Sequence, residues 1–403
     1  MKLILPYKKY SSSSQAEDMR ELKTIIEAYK EATAEGIKTV LATVVHVDGS
    51  SYRRPSARML VDEHGITTGA ISGGCLEGDA LRKALHALVQ NKNVLISYDT
   101  SDEADAVVGA QLGCEGVIQV LFEPLDAENT MNPLKLLEQI IDSQKPYVMV
   151  TLFNLKNKRG DQSGCTLLLE EGEKITGSID NQKLCDSILK DANIVFEEKR
   201  SLFRAYKDNQ TTQNAFIEYF APAVSLVIVG AGNDTQGLAL MAETLGWNIY
   251  IVDGRPSHAS ESRFTSSCQI IVAKPKEALE NIPINEQTVF VLMTHNYHYD
   301  LSILECLLPY EQVPYIGILG PKKKFQRMVD ELKEKGIEIS QEQQDRIYAP
   351  IGLEIGAETP EEIAISVLAE INAVLNGTKG TFLRDKQGPI HTKENTQFDT
   401  LKI

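Results

Sequence analysis

Cysteine is scarce in this chain. Six thiols (75, 114, 165, 185, 268 and 306) are spread over 403 residues, with no CxxC pair among them. That excludes a disulfide framework and gives no spacing for a structural zinc site. Long apolar runs are missing too, and no stretch reaches the roughly 20 residues of a membrane span. The opening MKLILPYKKYSSSSQAEDMRE has only a short apolar run at Leu3–Leu5 and no small-residue cleavage pattern. The expectation is a cytoplasmic protein with no membrane partner. Positive charge is also in deficit: 41 Lys and Arg stand against 56 Asp and Glu, a net charge of −15. This excludes a nucleic-acid-coating surface but not a local basic pocket for an anion. What remains is an ordinary globular composition, 42% hydrophobic and 24% charged, in a chain too long for one core.

Residues 1–18 read as a tail containing the run Ser11–Ser14. Residues 19–34 carry Leu22, Ile25, Ile26 and Tyr29 at helical spacing. TVLATVVHV (39–47) is a β-branched strand, DGSSYRRPSAR a loop, and ARMLVDEHGITTGAI a hairpin turning near Glu63-His64-Gly65. LEGDALRKALHALVQN is helical, and VLISYDT and VIQVLFEPL are further strands. Part of this pattern recurs. RMLVDEHGITTGAI is matched by TLLLEEGEKITGSI, with Gly69 falling on Gly177 (177 − 69 = 108) and Ile71 on Ile179. Residues 19–221 are therefore expected to form one α+β domain with an internal duplication, its units spanning about 35–125 and 145–221. The second copy keeps the strands but loses the arginine-rich loop and the glycine–cysteine loop of the first. What only the first copy carries belongs to function more than to scaffold.

From residue 222 to 378 the pattern changes. SLVIVGAGNDTQGLALMAETLGWNIYIVDGRP reads strand, glycine turn, helix, strand, and QIIVA, TVFVLM and YIGIL then alternate with helical segments. Continuous apolar strands alternating with helices specify a Rossmann-like, doubly wound parallel sheet. Thr359-Pro360-Glu361-Glu362 signals the start of the last helix through a capping box with proline in the first turn. Residues 379–403 read as a C-terminal tail.

Several places can carry chemistry. Gly230 and Gly232 form the turn after a buried strand where a pyrophosphate meets a helix start. Asp253 lies 23 residues after Gly230 (253 − 230 = 23), where a ribose-binding carboxylate belongs. Thr235 stands in place of the third glycine, so NAD(P), another nucleotide, a pterin phosphate and a plain tight turn all stay open. Arg255 beside Asp253 suits a phosphate or simply neutralises the carboxylate. THNYHYD (294–300) sits at a strand end. His295, His298 and Asp300 suit hydrogen bonding or helix capping better than a metal, for which no further ligands are evident. GILGPKKK brings lysines to another strand end. In the first domain Arg53, Arg54 and Arg58 share a loop with Ser50, Ser51 and Ser56, a set suited to phosphate or a planar hydrogen-bonding heterocycle. Cys75 follows Gly73-Gly74 at a helix start, where amides and the helix dipole favour thiolate and the glycines admit a ligand to the backbone. Cys114 in QLGCEG is a second thiol between glycines. Thiolate also suits a soft metal centre, so Cys75 is the candidate metal contact.

Seven blocks in one order, VLATVVHVDGSSYRRPSARMLV, ISGGCLEGD, VIVGAGND, VDGRP, LMTHNYHYD, YIGILGPKKK and PIGLEIGAETPEEIAISVLAEINAV, resemble the XdhC/CoxI-type maturation factors across about residues 30–391. The resemblance implies an N-terminal XdhC/CoxI domain and a C-terminal Rossmann domain. It implies a chaperone that binds molybdenum cofactor, supports its sulfuration with a cysteine desulfurase, and hands it to an apo molybdenum hydroxylase of the xanthine or CO dehydrogenase type. It further implies homodimers in some members. By motif position Cys75 and Cys114 would be the thiols of interest, Arg53, Arg54 and Arg58 the loop arginines, and Gly230 and Gly232 the Rossmann turn. Glu115 stands where the family often has glycine. Two other functions stay in view: an NAD(P)-dependent oxidoreductase, against which the chain offers no Tyr-x-x-x-Lys pair, and a non-catalytic nucleotide-binding regulator.

Overall fold

A computed structural model of the protein describes residues 15–49, 53–99, 116–141, 143–172, 174–208, 211–387 and 399–403. Cys114, Glu115, Ser50 and Ser51 lie outside the described residues. The chain divides into two compact units, one centred on residues 18–222 and the other on residues 223–388.

The first unit opens with α1 (Gln15–Ala34), β1 (Thr39–Gly49), β2 (Arg58–Asp62), β3 (Thr67–Gly69), α2 (Glu77–Gln90), β4 (Val94–Asp99) and β5 (Gly116–Pro124). It continues with α3 (Pro133–Ile141), β6 (Tyr147–Phe153), β7 (Gly164–Glu170), β8 (Ile175–Gly177), α4 (Gln182–Glu198), β9 (Leu202–Lys207) and β10 (Thr212–Phe220). The duplication is plain in the pairing. The first sheet runs β3-β2-β1-β5-β4 and the second repeats that order as β8-β7-β6-β10-β9, antiparallel throughout. Gly69 and Gly177 occupy equivalent sites at positive φ, each where a Cβ would collide with the carbonyl of its partner strand, at Arg58 or Thr166. That is the physical reason this glycine survives in both copies.

Successive residues of a strand point to opposite faces, and the near-continuous apolar runs of β1, β5 and β6 therefore give each sheet two buried faces. α2 covers the outer face of the first sheet with Ala80, Ala84 and Ala87 against Val44, Met59 and Val120. α4 does the same for the second with Ile188, Ala192 and Val195. The inner faces share a core in which α1 (Leu22, Ile25, Ile26) and α3 (Leu134, Leu137, Ile140) pack with Leu41, Leu60, Met149 and Leu168. α3 is a helix not anticipated from the sequence, short but amphipathic, with Leu134, Leu137, Ile140 and Ile141 buried and Glu138 and Gln139 exposed.

The second unit contains β11 (Ser225–Val229), α5 (Asp234–Thr244), β12 (Asn248–Asp253), β13 (Cys268–Val272), β14 (Thr288–Leu292), α6 (Tyr297–Leu307), β15 (Tyr315–Ile318), α7 (Lys322–Glu334), α8 (Gln341–Asp345), β16 (Ile347–Tyr348) and α9 (Pro360–Leu375). Its sheet is parallel in the order β13-β12-β11-β14-β15-β16. This is the doubly wound Rossmann order, with the switch point between β11 and β14. One face is packed by α5 and α9, the other by α6 and α7. The start of α9 is as signposted: Thr359 accepts from the Glu362 amide at 3.3 Å, and the Glu362 carboxylate accepts from the Thr359 amide at 2.9 Å. Residues 399–402, expected to be tail, instead form β17 (Asp399–Lys402), parallel to β9 at the edge of the second sheet.

Candidate functional site

In the first unit the arginine loop and the glycine–cysteine loop are linked through one carboxylate. Glu21 on α1 accepts from Arg53 at 2.8 Å and from the Ala70 amide at 3.0 Å. Ala70 lies just after β3, five residues before Cys75. The thiol loop has its own clasp. The Glu77 carboxylate accepts from the Ser72 amide at 2.8 Å and its hydroxyl at 2.5 Å, and Ser72 Oγ in turn accepts from the Leu76 amide at 3.1 Å. Burial works against the Glu77 charge, but the Ser72 hydroxyl and the amides outweigh it and hold the carboxyl below its ordinary pKa. Within this clasp Gly73 and Gly74 are exposed, Cys75 is half-buried, and open space surrounds the missing Cβ of Gly74. The thiol precedes the helix by two residues, since α2 begins at Glu77 with Leu76 as its N-cap.

The three arginines separate. Arg53 is spoken for by Glu21, and Arg54 is half-buried in the turn that leads to Ala57. Arg58, expected to grip a ligand, is buried and forms a bidentate ion pair with Glu218 of β10, at 3.1 and 2.5 Å, above the Phe220 ring. Its guanidinium fork is consumed in joining the two halves of the unit, so its part is architectural. Glu123 lies in the same interior and accepts from the Cys165 amide at 2.9 Å. Burial, only partly offset by that bond and by Arg58, pushes its pKa up to about 7.

In the Rossmann unit the Gly230–Asp234 turn is held by its own protein. A Cβ on Gly230 would strike the Met293 carbonyl, so β11 and β14 approach closely there. Asp253 does not wait for a ribose. One oxygen accepts from the Ala231 amide at 2.9 Å, and Arg255 fills the rest with its amide, Nε and Nη2 at 2.9, 2.9 and 2.7 Å. Burial opposes the charge, yet the Arg255 side chain and the two amides hold the Asp253 carboxyl below its ordinary range, and the hydrogen-bonded Asp253 carboxylate in turn raises the pKa of Arg255. Arg263 completes the grip, donating to the Ala231 carbonyl at 2.6 Å and to Asn233 at 2.7 Å. At the first position of α5, where an anion would sit, Asp234 already places a carboxylate, and His295 meets it at 2.9 Å. His295 holds φ = +56°, an uncommon conformation for a side-chain-bearing residue.

The remaining polar residues of the strand ends are structural. Asp300, expected to cap a helix, is fully buried and bound by Thr294 Oγ1 at 2.6 Å and Lys324 at 2.7 Å. Asn296 caps α6 instead. Lys324 comes from the lysine run, so that run is only partly a solvated face. Among the described residues no group of three or more His, Cys, Asp or Glu side chains is placed to hold a metal, and no helix is long and apolar enough to cross a membrane. Sequence reasoning does not single out Glu21, Glu77, Asp234 or Arg263. Only Asp234, beside the glycine turn, has a local signal that could find it.

These two units are those of a known two-domain class. Residues 226–371 match the XdhC Rossmann domain, and residues 32–99 match the XdhC and CoxI family. A Bacillus subtilis protein described as a probable subunit of xanthine dehydrogenase is 32% identical over 353 residues, 88% of this chain and 97% of that one. The chain therefore belongs to the XdhC/CoxI family. The molybdenum cofactor insertion chaperone PaoD of Escherichia coli is 25% identical over 353 residues, 87% of this chain and 88% of its own. The crystal structure of a protein described as a xanthine dehydrogenase from Bacillus halodurans superposes with a TM-score of 0.68 at 29% identity, covering 88% of this chain and 97% of that one.

Proposed function

We propose that this protein is a maturation factor that holds molybdenum cofactor as cargo and delivers it to an apo molybdenum hydroxylase of the xanthine dehydrogenase type. The observation that carries this reading is the arrangement around Cys75: a half-buried thiol beside two exposed glycines, on a loop clasped by Glu77 and linked through Glu21 to the arginine loop. The cargo brings a pterin ring, a phosphate, a dithiolene and a metal with terminal ligands. The glycine backbone lets such a flat body approach, the arginine loop brings cationic charge for its anionic end, and Cys75 presents sulfur to its metal end. Cys114, on the same motif logic, is the second thiol. The names of the relatives support the same role, since one is called an insertion chaperone for this cofactor and another is described as part of a xanthine dehydrogenase.

A nicotinamide-dependent oxidoreductase fits this geometry less well. Its pyrophosphate would meet the Asp234 carboxylate at the helix start, and its ribose would find Asp253 fully engaged. The test is to purify the full chain from cells that make the cofactor and to measure bound molybdenum and, after oxidation, pterin fluorescence. Both should accompany the wild type. Cys75→Ser should lose at least tenfold of the bound metal with the fold intact, and Arg54→Ala should lower it several-fold. A wild type carrying neither molybdenum nor pterin would overturn the proposal.

A further inference from the structure

The carboxylate of Glu21 sits among donors of the kind that receive a bound oxyanion. Oε2 accepts from Arg53 Nη1 at 2.8 Å, and Oε1 accepts from Arg53 Nη2 at 3.4 Å and from the Ala70 amide at 3.0 Å. A guanidinium fork and a main-chain amide converging on two oxygens form a donor set that a phosphate fills as well as a carboxylate does. α1 delivers the carboxylate to this place. One turn on from Glu21, the Ile25 side chain fills the space where a Cβ on Gly69 would stand, which holds the helix against the end of β3. The Arg53 and Glu21 side chains are 30% and 22% exposed, so an anion from solution can reach them, and a pair this open to water is weakly held. Folding of the repeat does not call for it. At the offset of 108 residues Asp161 takes the place of Arg53 in the second copy, where it meets Lys92 at the surface (161 − 53 = 108).

We infer that Arg53 and the Ala70 amide form a phosphate site, and that Glu21 occupies it when no phosphate is bound. The ligand is a phosphate dianion, either free or as a monoester, and it takes the guanidinium fork and the amide in place of the carboxylate. Glu21 belongs to the same chain, so its effective concentration is high and phosphate binds against a permanent competitor. When the ligand leaves, Glu21 takes the guanidinium back and no cation is left unpaired. Such a reversible grip suits a carrier that must give up its load, and only this last step rests on the proposed cargo role.

Phosphorus NMR titration of the full chain with inorganic phosphate and with phenyl phosphate, at an ionic strength held constant with chloride, reads the affinity without any loaded cofactor. Glu21→Gln keeps the length of the side chain and removes its charge, and it should tighten binding about tenfold. Glu21→Asp, whose shorter carboxylate falls back from the guanidinium, should tighten it by a smaller factor, which keeps the result readable if Glu21→Gln disturbs the fold. Glu27→Gln removes the same charge from an exposed position of the same helix and should change affinity less than about twofold, which separates competition from a general rise in potential. Arg53→Ala should abolish saturable binding, alone and combined with Glu21→Gln. Tighter binding of phenyl phosphate identifies a monoester as the ligand, and tighter binding of the inorganic ion identifies free phosphate. Absence of saturable binding by wild type and both Glu21 variants, equal tightening by Glu27→Gln, or binding that survives Arg53→Ala would overturn the inference. A chain that carries molybdenum but shows no exchange with phosphate would sink this inference alone. One that binds phosphate as described but never carries molybdenum would sink only the cargo role.

Discussion

Glu123 shows how far a buried position can move a single side chain. Its carboxyl is pushed up to about 7, whereas an unfolded chain leaves it near the ordinary 4.5. The neutral form is thus preferred in the fold. That preference contributes fully below the unfolded value and is lost as pH rises from about 4.5 through about 7. Glu123→Gln keeps the neutral shape and removes the titration. Its stability relative to wild type should therefore improve between pH 5 and pH 8, by on the order of 1–3 kcal/mol. Urea unfolding at the two pH values measures this, and a difference that does not change with pH would contradict it. The residues that carry charge at the candidate sites are only partly legible from the sequence. Asp253 and Arg255 stand two residues apart, so their pairing is a neighbour contact, whereas Arg53 and Arg58 show only as cations in the serine-containing loop DGSSYRRPSAR. The partners of these two arginines, Glu21 and Glu218, lie 32 and 160 residues away. No local spacing announces a partner at that distance, so a guanidinium kept for a ligand and one consumed by a salt bridge look alike.

At the level of elements, local rules serve better. The Rossmann strands are readable because β11, β14 and β15 are buried along their whole length and so appear as continuous apolar runs. The start of α9 is readable because a capping box is a contact between neighbours. Thr359→Ala should cost about 1 kcal/mol of stability, seen as a lowered denaturation midpoint with unchanged cooperativity. The strand-end cluster is a different matter. Asp300 is fully buried and its charge is answered by Lys324 from α7. Lys324→Met would leave that carboxylate uncompensated and should destabilise the Rossmann unit by about 3–5 kcal/mol, whereas adding Asp300→Asn to it should recover part of the loss. Equal stability of the single and double variants, measured by denaturant titration, would remove the pair from the structural account. α3 is amphipathic but only nine residues long, too short for its period to stand out from the apolar residues around it, and β17 is not legible because its four residues are all exposed.

Across the molecule, the duplicated unit is held at its centre by the Arg58–Glu218 pair, which connects β2 of the first sheet to β10 of the second. Arg58→Met should be strongly destabilising, about 3–5 kcal/mol, and Arg58→Met with Glu218→Leu less so, because the penalty lies in the stranded charge. Denaturant titration of the two variants beside the wild type measures the difference. The repeat is legible as an offset of 108 residues between Gly69 and Gly177, since strands and their glycine pivots are what folding constrains (177 − 69 = 108). The same comparison singles out the loops that only the first copy carries.

A sheet built twice from one plan separates two demands that usually conflict. The later copy, with its plainer loops, can act as a rigid twin against which its sibling leans. The sibling is then at liberty to keep an irregular, sulfur-bearing edge that a lone five-stranded sheet would struggle to support.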